Sequence, residues 1–268
     1  MEQTLGSSEP FIRLGAFAGV FLAMALWELR APRRPQTIPR LRRWPGNLGL
    51  SLINTVALRI LFPAAAVGAA VFAESRGWGL FQVINAPGAV AILASVILLD
   101  LVIYLQHRLF HAVPLLWRLH RLHHADLEFD VTTGVRFHPL EIALSMVIKI
   151  GAVVALGAPA VAVLAFEVLL NATTLFNHAN IKLPQALDRI VRLVVVTPDM
   201  HRVHHSVRRE ETNSNFGFSV PWWDWLFRTH RAQPADGHDR MIIGLEKLRD
   251  PADLRLARML LQPIRPEH

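Results

Sequence analysis

Histidines in three short groups dominate the chemistry that this sequence can carry. The groups read HRLFH at 107–111, HRLHH at 120–124 and HRVHH at 201–205, so the last two share the spacing H-x2-HH. Residues three and four apart lie on one face of a helix, so each group would direct several imidazoles to one place. Imidazole is a common neutral ligand of iron, zinc and copper. Eight such ligands exceed the needs of one ion and match two, which predicts a dinuclear metal site.

The composition indicates a membrane protein. Of the 268 residues, 52% are hydrophobic and 18% are charged, against about 25% charged in soluble proteins. The absence of cysteine excludes disulfides, thiolate metal sites, iron–sulfur clusters and cysteine nucleophiles. The net charge of +7 suits contact with anionic lipid headgroups. No nucleic-acid partner is expected, because the arginines lie in short loops between apolar runs.

Apolar runs in the first half of the chain would position the first histidine group. The run 11–27 is close to the length that crosses about 30 Å of hydrocarbon. It lacks the basic segment and cleavage site of a signal peptide, so we expect a retained helix. The Arg- and Pro-rich loop 29–47 is predicted to be cytoplasmic by the positive-inside rule. Runs 48–73 and 89–105 would then cross out and back, which brings His107 to the cytoplasm.

A long apolar region, 140–176, separates the second and third histidine groups. A turn at Gly157-Ala158-Pro159 would make it a hairpin that returns to the same side of the membrane. Lys149 and Glu167 leave a shallow re-entrant hairpin as the alternative. The charged Arg59 of an earlier run has two interpretations as well, because it could snorkel to the interface or face a partner or cavity.

With these elements in place, the chain resembles the fatty acid hydroxylase superfamily, also called the sterol desaturase family. The resemblance rests on the order of the three histidine groups, with an apolar hairpin between the second and the third, and covers roughly residues 90–245. It extends through RFHPLE at 136–141, NHANIKLP at 177–184, TPDMHRVHHS at 197–206 and NSNFGFSVPWWDWLF at 213–227.

The resemblance implies an integral membrane, non-haem di-iron oxidoreductase that hydroxylates or desaturates a C–H bond of a lipid (sterol, fatty acyl or ether lipid). Its implied fold is all-α, with multi-pass membrane helices and a cytoplasmic helical cap that holds the metal site. Two iron ions are the implied cofactors, zinc could occupy the same imidazoles in a purified sample, and O2 is the co-substrate. The implied partners are a bilayer lipid and a separate electron donor, such as a ferredoxin, a cytochrome b5-like protein or a reductase.

The resemblance also implies roles for individual residues. The implied metal ligands are His107, His111, His120, His123, His124, His201, His204 and His205. His178 is either a further ligand or a cap of its helix end, and His138 is either a ligand or a partner of one. Candidate acceptors that would orient ligand rings are Asp100, Glu141, Asn177 and Asp199. The histidines outside the motifs, expected at the surface, are His230, His238 and His268.

We expect N-terminal membrane helices and the basic loop at 1–88, the catalytic domain at 89–245 and a C-terminal tail at 246–268. The expected location is a bacterial inner membrane, with the histidines facing the cytoplasm. A metal transporter or storage protein is the alternative function, although transporters place ligands at mid-membrane on broken helices. A lipid-binding relative without activity is disfavoured, because all eight histidines are present. The Trp-rich segment 221–227 is predicted to lie in an interfacial aromatic belt or to line a lipid channel.

Overall fold

The computed structural model describes residues 2–265, with side chains from residue 9 onward, and this part of the chain is helical without a β-strand. The α-helices are α1 (Glu2–Arg30), α2 (Arg40–Leu61), α3 (Ala65–Ser75), α4 (Leu80–Val83), α5 (Gly88–Ala112), α6 (Pro114–His124), α7 (Pro139–Leu156), α8 (Ala160–Asn177), α9 (Gln185–Val191), α10 (Pro198–His204), α11 (Arg209–Thr212), α12 (Trp222–Leu226), α13 (Gly237–Arg240) and α14 (Leu256–Leu261). Short 3-10 turns occupy Thr133–Val135, Pro251–Leu254 and Gln262–Ile264.

Five segments are long and apolar enough to cross a membrane, which confirms the predicted all-α, multi-pass fold. They are Glu9–Arg30, Arg40–Val83, Gly88–Ala112, Pro139–Leu156 and Ala160–Asn177. The second of them contains a break after α2, where Pro63 cannot donate a backbone hydrogen bond and a helix cannot continue unperturbed.

The three histidine groups lie at one end of these helices. The first group occupies the last turns of α5, and α6 follows directly with Pro114 at its first position, where proline is favoured. At the opposite end, Gly157 terminates α7 in the left-handed conformation, with φ 65°. A Cβ on Gly157 would lie 2.6 Å from the carbonyl oxygen of Trp78, so the close approach requires glycine. The predicted hairpin turn is confirmed, and it returns α8 to the histidine end.

A buried ion network attaches α2 to the segment that follows α6. Arg43 donates to both carboxylate oxygens of Asp126 at 2.8 Å and to Asp130 at 2.6 Å, and all three side chains are fully buried. The predicted end of the loop 29–47 is therefore wrong. α2 already begins at Arg40, because Arg43 has buried carboxylate partners that the local sequence does not reveal.

The C-terminal segment packs against α2 and against α6, which carries the histidines of HRLHH. Met259 of α14 is fully buried with Leu50 of α2 and Leu122 of α6. Thus the predicted tail, as far as residue 265, is part of the packed cap.

The Trp-rich segment contains α12, whose aromatic side chains are partly exposed. Trp222 and Trp225 are each 40% exposed, as in an interfacial belt. Trp222 also lines a cavity of about 220 Å³ together with Asp100 and residues of α5 and α8. These observations agree with both interpretations of the segment.

Candidate metal centre

In the folded chain, the histidines of the three sequence groups, together with His178, gather into two spatial groups. Five of them, from three helices, form the first spatial group. α5 contributes His107 and His111, α6 contributes His120 and His124, and α10 contributes His204, so each of the first two helices supplies a pair one turn apart. One ring nitrogen of each residue lies within 4.8 Å of the others. The Nε2 atom of His107 is 3.0 Å from that of His120 and 3.1 Å from that of His204.

The other four clustered histidines form the second spatial group. His123 comes from α6, His178 directly follows α8, and His201 and His205 come from α10 and its C-cap. The Nε2 atom of His178 lies 3.1 Å from the Nε2 atoms of both His123 and His201. All four side chains are buried.

The two groups are adjacent because each H-x2-HH motif is divided between them. Consecutive residues of a helix point about 100° apart, so His123 and His124 reach different groups, as do His204 and His205. α6 gives two histidines to the first group and one to the second, whereas α10 gives one to the first and two to the second. The rings of His124 and His205 stack with their centroids 4.7 Å apart across the boundary.

Backbone carbonyls determine which nitrogen faces the centre of each group. The Nδ1 atoms of His107, His204 and His178 lie 2.7 to 2.8 Å from the carbonyl oxygens of Phe216, Ser214 and Thr174, respectively. An oxygen acceptor at Nδ1 requires the ring proton there, which leaves Nε2 with a bare lone pair.

The bare nitrogens fit metal ions better than they fit one another. Two lone pairs that face each other at 3.1 Å, as at His107 and His204, cannot form a hydrogen bond with each other. Two nitrogens that bind one ion at about 2.1 Å would lie roughly 3.0 Å apart at right angles and roughly 3.4 Å apart in a tetrahedral site. In addition, neither ring nitrogen of the buried His205 has a partner among the described residues. The arrangement therefore suits two cations, one in each group.

Burial keeps six clustered imidazoles outside the membrane-spanning segments in the neutral form that binds metals. It lowers the pKa of His178 to about 3, and neighbouring histidines reinforce a strong lowering at the other positions. The residues whose pKa is lowered well below 6.5 by burial are His123, His124, His201, His204 and His205.

Glu141, near the start of α7, is the carboxylate that contacts this ligand set. Its Oε1 atom accepts a hydrogen bond from His120 Nδ1 at 2.6 Å, and both side chains are buried. A carboxylate on the far nitrogen orients the ring and raises the basicity of the nitrogen that binds the ion.

The other three predicted acceptors have different partners. Asp100 accepts from the indole of Trp223 at 2.8 Å, and the amide of Asn177 donates to the carbonyl of Phe218 at 2.7 Å. Asp199 pairs with Arg33 and Arg202, and the histidine nearest to it is His238 at 3.7 Å. None of these three orients a member of the two groups, because each carboxylate or amide has a closer partner.

Asp224 supports the site from one layer further out, a role that the sequence did not indicate. It accepts hydrogen bonds from the backbone N–H groups of Phe216 and Gly217, both at 2.8 Å. These bonds fix the loop whose Phe216 carbonyl holds His107. Burial raises the pKa of Asp224, which these hydrogen bonds oppose.

His138 is the one predicted ligand that the structure leaves outside both groups. It is the N-cap of α7, and its Nδ1 atom accepts from the N–H of Leu140 at 3.2 Å. Its Nε2 atom donates to the carbonyl of Leu260 at 3.1 Å. Both nitrogens are therefore used in fixing a helix start and the C-terminal segment, and a ligand role is not supported.

Two of the remaining histidines differ from the predicted surface position. His238 is buried, and its pKa is lowered to about 4 by burial, although the nearby Asp199 opposes this effect. His230 is half-buried. His268 lies outside the described residues.

A cavity of about 680 Å³ extends from the first group into the helix bundle. His107, His120 and Glu141 line one end of it, and α1, α2, α5, α7 and α8 supply its walls. Most of the wall is apolar, for example Ile103, Met146 and Phe218. The site is therefore accessible to a molecule that lies between the membrane helices.

Comparisons with known proteins agree with this site. The sequence model of the fatty acid hydroxylase family matches residues 92–229. An ornithine lipid hydroxylase from Rhizobium tropici is 30% identical over 149 residues, which are 55% of this chain and 44% of that protein. The human alkylglycerol monooxygenase is 26% identical over 145 residues, 53% of this chain and 30% of that protein. The chain thus matches less than half the length of these relatives.

The corresponding Caenorhabditis elegans alkylglycerol monooxygenase is 27% identical over 148 residues, 54% of this chain and 28% of that protein. No solved structure matches the chain significantly. The family match spans the segment that supplies all nine clustered histidines. On this evidence, the chain belongs to the fatty acid hydroxylase family.

Proposed function

We propose that this membrane protein holds two iron ions in its adjacent histidine groups and catalyses the O2-dependent hydroxylation, or desaturation, of a lipid C–H bond. The observation that carries the proposal is the shared position of His107 and His120. Both belong to the spatial group of five histidines, and both line the cavity between the membrane helices. A lipid in this cavity would present a carbon directly beside that group.

Two bound irons would supply the oxidising power that no side chain has. The protein's own contribution is to orient the histidine rings and to exclude water from the cavity. Glu141 and the backbone carbonyls of the cap hold the rings so that their lone pairs converge. The apolar wall keeps water away from a reactive carbon. Hydroxylation is favoured over desaturation, because the matched relatives are named as a hydroxylase and monooxygenases.

Electrons would come from a separate donor, such as a ferredoxin, a cytochrome b5-like protein or a reductase. Of the nine clustered histidines, His111 is the half-exposed one. Its ring contacts that of Trp117, with centroids 5.0 Å apart, and Trp117 is itself partly exposed. We expect electrons to enter here.

We further propose that this end of the helices faces the cytoplasm, since the Arg-rich segment 30–43 lies at the same end.

A metal transporter or storage protein is the alternative from another class. A transporter would need ligands within the spanning segments and a path for the ion through the bilayer. Here the ligands lie at the helix ends in a packed cap, and the cavity that leads to them is largely apolar. These features favour lipid chemistry.

The experiment is metal analysis of detergent-purified protein from iron-supplemented cells, together with O2- and reductant-dependent oxidation of a lipid extract. We expect about two irons per chain, reduced to about one in a His120→Ala, His204→Ala double variant, because both substitutions fall in the group of five histidines, and retained in His138→Ala as the matched control. Less than one metal per chain, unchanged by the double substitution, would refute the site. Two irons without oxidation of any lipid class would favour the storage alternative.

A further inference from the structure

The cavity has a second, charged end that the metal chemistry does not use. Glu167 of α8 is buried there and accepts hydrogen bonds from Arg13 at 2.5 Å and from Lys149 at 2.6 Å. All three side chains line the cavity. Ionised groups inside a membrane segment are costly, and they are usually retained for binding or transport.

Arg59 of α2 leaves this end with an excess positive charge. It lines the same cavity, and no carboxylate among residues 9–265 pairs with it. The cations Arg13, Arg59 and Lys149 all line the cavity, where Glu167 pairs with Arg13 and Lys149, and Glu9 is the second partner of Arg13 at 2.8 Å. Three positive and two negative groups give a net charge of +1, which is located at the unpaired Arg59.

Helix geometry gives the separation between the two ends. Glu141, which holds His120, lies eight residues before Lys149 on α7, or about 12 Å at 1.5 Å per residue. Thr174, which holds His178, lies seven residues after Glu167 on α8, or about 10 Å. The charged end is therefore roughly 10–12 Å from the histidine end. Apolar side chains line the part between them, including Leu58, Ile103, Met146 and Leu170.

The cavity also contains buried polar atoms without a protein partner. Asn54 donates to the carbonyl of Phe137, yet its Oδ1 atom has no hydrogen-bond partner in the described chain. The Oε1 atom of Gln106, next to the ligand His107, is in the same situation. Such atoms are expected where a ligand completes the hydrogen bonding.

We propose that the charged end binds the anionic group, a carboxylate or a phosphate, of an amphiphilic substrate, with Arg59 as the main contact and Lys149 beside it. This inference rests on the proposed function, because it identifies the substrate class for the same cavity. The apolar middle would hold an extended chain of roughly eight to nine carbons, at about 1.3 Å per carbon. The carbon at that distance from the anion would then lie beside His107 and His120.

The exposed lining residues indicate how such a substrate arrives. Four of the five are Pro10 and Leu14 on α1 and Thr55 and Arg59 on α2, and the fifth is Asn171 on α8. The cavity therefore opens sideways between α1 and α2. Arg59 at this opening is well placed to select an anionic amphiphile from neutral ones.

The test is ligand binding to zinc-loaded protein in nonionic detergent, where no turnover can occur. Dodecanoate, dodecyl phosphate and dodecanol would each displace a fluorescent fatty acid. We expect Arg59→Gln to weaken binding of both anions by roughly ten- to hundredfold, the loss of one charged hydrogen bond, and to leave dodecanol unchanged. If Arg59→Gln weakens the binding of dodecanoate alone, the subsite is specific for a carboxylate. If it weakens the binding of dodecyl phosphate alone, the subsite is specific for a phosphate.

The matched control is Arg76→Gln, which removes an exposed arginine at the end of α3 that does not line the cavity. Equal losses for anions and dodecanol, equal losses in the two variants, or no loss would overturn the proposal. The result is separable from the proposed function, because binding is measured without oxidation. A lost anion preference in a protein that oxidises no lipid would keep the subsite and reject the oxygenase.

Discussion

Glu141→Gln should weaken metal binding in the spatial group of five histidines, to which His120 belongs, without unfolding the protein. The substitution keeps the size of the side chain and an acceptor for the Nδ1–H of His120, but it removes the negative charge. The affected hydrogen bond is short, 2.6 Å, and its side chains are only 2% and 5% exposed. Solvent therefore cannot replace the lost charge.

The magnitude follows from the kind of hydrogen bond that is lost. A hydrogen bond to a charged group contributes about 1.5–3 kcal/mol, and one between neutral groups about 0.5–1.5 kcal/mol. The difference of about 1–2 kcal/mol corresponds to a roughly five- to thirtyfold lower affinity for one ion. This agrees with the usual tenfold or greater effect of such ring-orienting partners.

The assay is competition with a chelator, followed by metal analysis of the detergent-purified protein. Asp100→Asn is the matched control, because that buried carboxylate accepts from Trp223 and contacts no clustered histidine. The reasoning is refuted if the control loses affinity to the same extent as Glu141→Gln. It is also refuted if Glu141→Gln leaves affinity unchanged while His120→Ala lowers it.

Three further predictions concern metal stoichiometry, pH and stability. His111→Ala and His178→Ala should each cost about one ion per chain, because their helices serve one group each, and elemental analysis checks this. In metal-free protein, the depressed pKa of His178, about 3, means that the unfolded chain binds the proton first as pH falls. Stability should therefore decline from about pH 6.5 downward, by up to about 1.4 kcal/mol per pH unit for each such histidine, in denaturation series at several pH values. A flat profile would contradict it. Arg43→Met should lower the free energy of unfolding by about 3–5 kcal/mol, because Asp126 and Asp130 would remain buried without their cation. An unchanged melting temperature would show that these carboxylates find other partners.

The spacing of the histidines predicted much of the candidate centre, because imidazoles three and four apart must share a helix face. It also predicted that the apolar hairpin returns His178 to the same end as the other groups. The sequence could not reveal the division of each H-x2-HH motif between two groups, which depends on how α6 and α10 face each other. Nor could it identify the carbonyls of Ser214 and Phe216, since every residue has a carbonyl and only the fold selects one.

Long-range pairing explains the errors. Arg43 looked like one of many loop arginines, yet its partners Asp126 and Asp130 lie 83 and 87 residues away and draw it into the interior. His138 stands directly before Pro139 in a motif of the family, but its ring caps a helix and reaches Leu260, 122 residues away. A local pattern contains neither contact.

Because each H-x2-HH motif is divided between the two groups, the backbones of α6 and α10 would set the separation of two bound ions. Adjacent residues of one backbone, His123 with His124 and His204 with His205, belong to different groups, so two bound ions would share the same two helices. Soluble helical di-iron proteins build their sites with glutamates, whose carboxylates can rotate between bridging and terminal positions. Here a change in the distance between two bound ions would have to come from side-chain torsions, because sliding α6 or α10 would move ligands of both ions together. Such a pair would have a stiff geometry, and only α5 and α8, which supply histidines to one group each, could move relative to one ion alone.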